Sequence, residues 1–329
     1  MSIVPDLKDI VSSTSGARVS ERTFQVPCEP FEDVLPDRYP HLFTTLDLMD
    51  SFLSEPQRRE LDGLVGDLSH DPHLRGIIAR ELDRSSLSAA GYLILDFSDV
   101  VSSQLTIRDY IILTATCSIF GQPFGAFRRH GLWKPIDVNP VIDPWRAGGA
   151  GFNPLHIDFV NATLPPDYTC FYCVREDPLG EGDSIVSNHL RVFSMLSPDQ
   201  RALALRPAVY EGKFFDLVGI GSEMRPFPLF EVGTNGSLTC RFTAKSLYVK
   251  GDTETEIVTL IKEISELLDR YALTFRLRQK QLLIVDQGIA CHGRMPLGDG
   301  QAEIPAEQRR LLMQIFMKKM NLDAAVPKD

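Results

Sequence analysis

The feature that most restricts the fold of this 329-residue chain is a series of short strand-like runs separated by turns. The runs cover Tyr168–Arg175, Ser184–Ser187, Ser237–Thr243, Gln281–Asp286 and Arg309–Met317. Helical patterns interrupt them without the strict strand–helix alternation of a doubly wound sheet. No GxGxxG or GxxxxGK[ST] motif supports a nucleotide-binding fold. The pattern favours a mainly β fold with helical insertions, a β-barrel or jelly roll.

Helical periodicity is predicted over Leu48–Leu68, Asp71–Ser85, Thr106–Phe120, Pro198–Leu205 and Asp252–Ala272. The last segment carries an apolar face, Ile257, Leu260, Ile261, Ile264, Leu267, Leu268 and Tyr271, behind a Thr253/Glu256 capping box. A buried strand, GYLILDF, begins at Gly91. We therefore expect a loop-rich and helical N-terminal extension over 1–90, a core over 91–322 and a polar tail over 323–329.

The charge balance limits the partners. The net charge of −10 and a pI near 5.2 argue against a broad nucleic-acid or anionic-membrane surface, and leave room for a local basic pocket. The N-terminus lacks a basic region followed by an apolar one, and the longest apolar stretch, around Ala89–Phe97, is too short to span a bilayer. These observations predict a soluble, cytoplasmic protein with a small-molecule substrate and leave its oligomeric state open.

Cys170 and Cys173 form a CxxC motif, which could indicate a metal or redox site. The motif lies in a strand-like run, where residues three apart point to opposite faces. No second CxxC is present to complete a zinc site. We expect both cysteines to be buried structural residues.

Two long irregular segments are predicted to be lid loops, and an ordinary surface loop is the alternative for the first of them. Residues 124–151 are rich in Pro, Gly and Trp, and their end, Gly148–Gly151, gives flexibility just before His156. The second segment covers 216–232.

His156-Ile157-Asp158 is the candidate metal motif. On a strand, residues i and i+2 share a face, so the imidazole and the carboxylate could converge on one ion. A second histidine, His292, lies in the apolar run QLLIVDQGIACHGR. Two histidines and one carboxylate that leave the remaining coordination positions of the metal open are typical of a non-haem iron(II) site. With 7 His and 44 acidic residues, about one HxD-type match is expected by chance, so the motif alone is weak. A hydrogen-bonded core histidine is the alternative for His292.

Arg309 and Arg310 precede the apolar run LLMQIFM. A buried guanidinium is costly without an anionic partner, and a dicarboxylate would pair with it in bidentate geometry. The alternative is an arginine that extends from the strand end to solvent.

The order of HID, EGDS, VDQGIACHGR and RRLLMQ resembles the clavaminate synthase-like and taurine dioxygenase-like group of iron(II)/2-oxoglutarate oxygenases. GYLILDF, FGQPFGAF and PPDYTCFYCVREDPLGEGDS add to a resemblance that runs from about Gly91 to Met317. It implies a double-stranded β-helix core, a jelly roll of cupin type. It also implies iron(II), 2-oxoglutarate and O2 as cofactor and cosubstrates.

Residue by residue, the resemblance implies that His156, Asp158 and His292 bind iron. It implies that Arg310 and Ser184 bind the far carboxylate of 2-oxoglutarate, with Arg309 in place of Arg310 if the register differs by one. The group often carries Arg-x-x-x-Arg here, and Gln314 replaces the second Arg, which in taurine-type members binds an anionic substrate. A taurine-like sulfonate substrate is therefore disfavoured, and Asp158, where a halogenase has Gly or Ala, disfavours halogenation.

The resemblance implies hydroxylation of an unactivated C–H bond in a free amino acid or an amino-acid-derived natural-product intermediate, with release of succinate and CO2. Desaturation or cyclisation at the same site is an alternative, and a zinc hydrolase or a non-catalytic β-barrel binding protein are rivals from other classes. We predict a zwitterionic substrate and poor turnover of taurine. Its contacts are expected from the two lid loops and the Arg310 strand: Arg128, Arg129, Trp133, Arg146, Glu223, Arg225 and Gln314.

Overall fold

The computed structural model describes residues 23–45, 53–72, 91–127, 131–163, 165–211, 226–232, 238–245, 247–249 and 254–319. Its strands, numbered in chain order, are β1 Thr23–Gln25, β2 Tyr92–Asp96, β3 Gln122–Phe124, β4 Lys134–Asp137, β5 Asn153–His156, β6 Tyr168–Arg175, β7 Ser184–Asn188, β8 Val209–Glu211, β9 Phe230–Val232, β10 Leu238–Cys240, β11 Leu247–Val249, β12 Leu273–Phe275, β13 Gln281–Asp286, β14 Ala290–Arg294 and β15 Leu311–Lys318. The α-helices are α1 Pro40–Thr45, α2 Glu55–Ser69, α3 Ile107–Ser118, α4 His189–Met195, α5 Pro198–Ala204 and α6 Glu254–Arg270.

Two sheets form the core. The major sheet has the order β1-β2-β13-β6-β15-β3, with β4 also paired to β15, and the minor sheet has the order β12-β7-β14-β5. All these pairs are antiparallel except β1–β2. Neighbouring strands are far apart in sequence, as β6 is from both β13 and β15, so long-range pairing builds the sheets. This arrangement is the mainly β jelly roll that the sequence pattern favours, and the double-stranded β-helix that the family resemblance implies.

Alternation along the strands divides the core into layers. In β13, Leu282 and Ile284 pack with helices α2 and α3 on the outer face of the major sheet, whereas Leu283 and Val285 face the minor sheet. The outer face of the minor sheet packs against α6, whose predicted apolar face is buried at Ile257, Leu260, Ile261, Ile264 and Leu268. Helices therefore cover both outer faces, and the space between the sheets opens into the cavity described below.

The CxxC interpretation follows from the same alternation. Cys170 is buried in the outer layer with the N-terminal helices, and Cys173 is buried between the two sheets. Both are free thiols. Their side chains point to opposite faces, as predicted.

Several predicted boundaries differ. Residues 124–151 are not one loop, because β4 lies within them and pairs with β15. The predicted strand Ser237–Thr243 is β10 alone, and the final strand begins at Leu311 rather than Arg309. The predicted helix Asp71–Ser85, except its first two residues, and the Thr253 half of the capping box lie outside the described residues, as does the tail over 323–329. No helix in the described part of the chain has the length and hydropathy of a membrane span.

Candidate metal centre and its cavity

His156 ends β5, and His292 stands directly opposite it on β14. The Nδ1 of His156 lies 2.7 Å from the carbonyl oxygen of Pro154, so this nitrogen donates and the neutral ring keeps a lone pair on Nε2. Both rings are buried, with centroids 4.5 Å apart. The cross-strand pairing thus brings together two imidazoles that are 136 positions apart in the sequence.

Asp158 reaches the same point in a different way from the one predicted. β5 ends at His156, and Asp158 lies in the turn that follows, so strand alternation does not orient it. Its backbone N–H donates to the side-chain oxygen of Gln287, and the amide of Gln287 donates to the Pro166 carbonyl at 3.0 Å. This side chain joins the HID turn to the turn between β13 and β14, and so fixes the carboxylate near both histidines.

The three side chains converge. The Asp158 carboxylate has one oxygen 3.9 Å from the Nε2 of His156 and the other 3.5 Å from the Nε2 of His292. One ligand atom from each residue lies within 4.8 Å of the others. Burial lowers the pKa of both imidazoles, and for His156 the nearby Lys245 adds to the effect. Neutral imidazoles with an adjacent carboxylate form a donor set that suits a divalent transition metal.

The triad opens into a cavity of about 670 Å³ between the two sheets. Leu312, Gln314 and Phe316 of β15 line it, while Met313, Ile315 and Met317 pack on the opposite face. Arg310, two residues before Leu312, lines the cavity on the same side as these residues. Ser184 at the start of β7 lines it as well. The guanidinium of Arg310 is buried, which lowers its pKa, and it has no hydrogen-bond or ion-pair partner among the described residues.

Arg309 faces away from this cavity. Its guanidinium donates to the carbonyl oxygen of Ile304 at 2.8 Å and to that of Val138 at 3.5 Å. The Arg309 guanidinium is therefore held by backbone carbonyl oxygens, whereas the N–H donors of Arg310 remain available to a ligand in the cavity.

Arg294 is a cavity residue that the sequence analysis did not single out. It lies two residues after His292 on β14, and its guanidinium donates to the carbonyl oxygens of Ala147, Gly149 and Gly151. Burial lowers its pKa to about 9, and the neighbouring Arg310 contributes. The only sequence signal for Arg294 is its position as a charged residue at the end of an apolar run. That position does not reveal that its guanidinium contacts the backbone of Gly149, 145 positions earlier.

The glycine-rich segment held by Arg294 is closely packed. A Cβ at Gly148 would lie 2.7 Å from the Asp137 carbonyl oxygen, and one at Gly151 would lie 2.7 Å from the Pro144 Cβ. The Gly151 N–H also donates to the Pro144 carbonyl at 3.0 Å. Close approach, rather than the flexibility predicted from the sequence, requires glycine here.

We expect Arg294→Met to lower the free energy of unfolding by about 3 kcal/mol, because it leaves one buried and two partly buried carbonyl oxygens without these donors. Urea unfolding followed by circular dichroism measures the change. The control is Arg278→Met, which removes an exposed ion pair to Glu176 and should change the free energy by less than about 0.5 kcal/mol. Equal stability of Arg294→Met and wild type would contradict the structural role assigned to Arg294.

The predicted substrate contacts have mixed outcomes. The prediction that Trp133 contacts the substrate is wrong. Trp133 is 1% exposed in the core beneath the N-terminal helices, where its indole N–H donates to Thr114. Its ring packs against the outer face of the major sheet and does not line the cavity. Arg146 and Gln314 line the cavity. The remaining candidates, Arg128, Arg129, Glu223 and Arg225, lie outside the described residues.

Two lysines in the cavity were also not foreseen. Lys134 lies on β4 opposite Gln314, and Lys245 places its Nζ 3.5 Å from the Nε2 of His156. Gln314 donates to the Asp158 carboxylate at 3.4 Å and to Thr169 at 3.1 Å. The amide at this position therefore supports a triad residue and is close to a cation supplied by the neighbouring strand.

Comparison with known proteins agrees with this geometry. The sequence matches the taurine catabolism dioxygenase TauD, TfdA family over residues 120–315, more than half of the chain. The chain belongs to this family. The enzyme class predicted from the sequence, a dioxygenase, is confirmed with it. No curated protein matches the sequence.

Solved structures of the same fold support the assignment. Asparagine oxygenase, in complex with Fe(II), 3-hydroxyasparagine and succinate, has a TM-score of 0.68 at 18% identity, over 90% of this chain and 93% of that one. The non-heme iron oxygenase OrfP with Fe and alpha-ketoglutaric acid has a TM-score of 0.66 at 15% identity, over 92% and 95%. Because the identities are low, these matches establish the double-stranded β-helix and leave the substrate of this TauD/TfdA family member to be inferred from its own cavity.

Proposed function

We propose that this protein hydroxylates an unactivated C–H bond of a free amino acid or an amino-acid-derived intermediate. In this proposal His156, Asp158 and His292 hold iron(II), and Arg310 with Ser184 binds the distal carboxylate of 2-oxoglutarate. The observation that carries it is the buried Arg310 guanidinium, which lines the same cavity as the triad and has no partner among the described residues. Such a charge needs an anion, and a dicarboxylate that also reaches the metal provides one.

Each residue has a separate task. The contact of His156 with Pro154 keeps Nε2 available as a ligand, and Gln287 and Gln314 orient Asp158. Arg310 and Ser184 fix the cosubstrate at the far end, and the apolar Leu312 and Phe316 exclude water. Bound iron(II) would supply the coupling of 2-oxoglutarate decarboxylation to substrate oxidation.

The amino-acid assignment rests on similarity. The asparagine oxygenase structure contains 3-hydroxyasparagine and an OrfP structure contains (3S)-hydroxy-L-Arg, both hydroxylated amino acids. Desaturation or cyclisation would use the same residues and would give a product with a different mass. A zinc hydrolase is disfavoured, because it would normally also need a general base, and Asp158 is the only acidic residue among the described residues that line the cavity.

The test is a screen of amino acids for succinate release coupled to substrate oxidation, with the purified protein, iron(II), 2-oxoglutarate and O2. We expect succinate to form in proportion to a product that has gained one oxygen atom, and taurine to be a poor substrate. Reactions without the amino acid measure uncoupled decarboxylation. Efficient oxidation of taurine, or of uncharged apolar molecules only, would contradict the substrate assignment, and a product lacking two hydrogens would indicate desaturation.

A further inference from the structure

The charged side chains that line the cavity are mostly cationic. Among the described residues that line the cavity, Asp158 is the only acidic one. The cationic ones are Lys134, Arg146, Lys245, Arg294 and Arg310. Backbone carbonyls satisfy Arg294, and the cosubstrate would pair with Arg310. Iron(II), the Asp158 carboxylate, doubly charged 2-oxoglutarate and Arg310 together have no net charge. The remaining cations would therefore face the substrate.

Lys134 is the best placed of these cations. It lies on β4 directly opposite Gln314 of β15, and its side chain is half-buried at the cavity wall. Its Nζ stands 4.2 Å from the centroid of the Phe127 ring, which holds the ammonium over an apolar surface. Burial lowers the pKa of Lys134, and Asp158 opposes this effect. No hydrogen bond or ion pair joins this ammonium to another described residue.

Lys245 approaches from the other sheet. It lies two residues after Thr243, which forms a β-bridge with His156, and its Nζ stands 3.5 Å from the Nε2 of that histidine. Lys134 instead stands opposite Gln314, whose amide donates to the Asp158 carboxylate. The two lysines thus come from different segments of the chain, and both line the cavity into which the triad opens.

We propose that Lys134 binds a carboxylate of the substrate, in place of the arginine replaced by Gln314, and that the substrate carries a net negative charge. This inference rests on the proposed function, because it assumes iron(II) and 2-oxoglutarate in their places. It refines the zwitterionic substrate predicted from the sequence to an acidic amino acid or a derivative with an additional acidic group. A basic amino acid would bring a cation towards these ammonium groups, and like charges in a partly buried site are repelled.

The alternative role for Lys134 is structural support of Asp158, since that carboxylate raises the pKa of the Lys134 ammonium against the effect of burial. The two roles differ in what the substitution changes. A supporting residue would change metal affinity, whereas a substrate-binding residue would change substrate affinity at constant metal and 2-oxoglutarate affinity.

The experiment is calorimetric titration of L-glutamate, L-aspartate and L-arginine into anaerobic protein saturated with iron(II) and 2-oxoglutarate. We expect at least one of the acids to bind wild type more tightly than arginine. Lys134→Met should weaken binding of that acid roughly 10- to 100-fold, the effect of losing one charge-assisted hydrogen bond. Lys134→Arg should keep it within several-fold of wild type. The matched control is Lys262→Met, on the exposed side of α6, which should bind like wild type.

Other outcomes would overturn the proposal. These are tightest binding of arginine, no binding of either acid to protein with normal 2-oxoglutarate affinity, or unchanged acid binding by Lys134→Met. Weaker metal binding by Lys134→Met at unchanged acid affinity would assign Lys134 to support of Asp158. Failure of wild type to bind iron(II) or 2-oxoglutarate would instead overturn the proposed function, which the same titrations measure first.

Discussion

Replacing His156, Asp158 or His292 with alanine is expected to abolish turnover and to weaken iron(II) binding by more than about 100-fold. Loss of a residue that only orients a ligand costs 10- to 100-fold in metal affinity, and loss of a ligand itself should cost more. The fold should remain, because each change removes a side chain at the cavity wall. Anaerobic iron(II) titration in the presence of 2-oxoglutarate, followed through the visible charge-transfer band, measures the binding.

His70→Ala is the control for this prediction. His70 is exposed at the end of α2, remote from the cavity, and its loss should leave the iron(II) titration unchanged. Circular dichroism of each variant reports whether the fold is kept. Full activity of any of the three variants, or no band in well-folded wild type, would refute the metal assignment.

Arg310→Ala is expected to raise the KM for 2-oxoglutarate by tens- to hundreds-fold. Removing a bidentate charge-assisted pair costs about 2–4 kcal/mol of binding free energy. Steady-state kinetics with varied 2-oxoglutarate measure the KM, and binding by calorimetry checks that it reflects affinity.

Arg309→Ala is the matched control, since it removes the same side chain one residue earlier on the opposite face. Its effect on the KM should be small, because Arg309 is bound to the backbone carbonyls of Ile304 and Val138 outside the cavity. A sensitive Arg309 with an insensitive Arg310 would reverse the assignment. Insensitivity of both would contradict 2-oxoglutarate as the cosubstrate.

Local patterns predicted the elements whose burial repeats regularly. The strands β6 and β13 have the predicted bounds, and the apolar face of α6 is buried as its 3.6-residue period indicates. Periodicity could not place Trp133, because an aromatic residue in an irregular segment fits a binding loop and a core equally well. It is buried because β4 pairs with β15, which is a contact between distant parts of the chain.

The sequence by itself determined the chemistry available to this protein: two histidines and an aspartate in family order, an arginine pair before the last strand, and glutamine in place of a second family arginine. These are properties of residue type and spacing. The tertiary structure decided which groups meet. Pairing of β5 with β14 sets His156 opposite His292, Gln287 holds the Asp158 turn, and β4 brings Lys134 beside Gln314. Such contacts depend on long-range strand register, which the packing of the whole core fixes and no local pattern encodes.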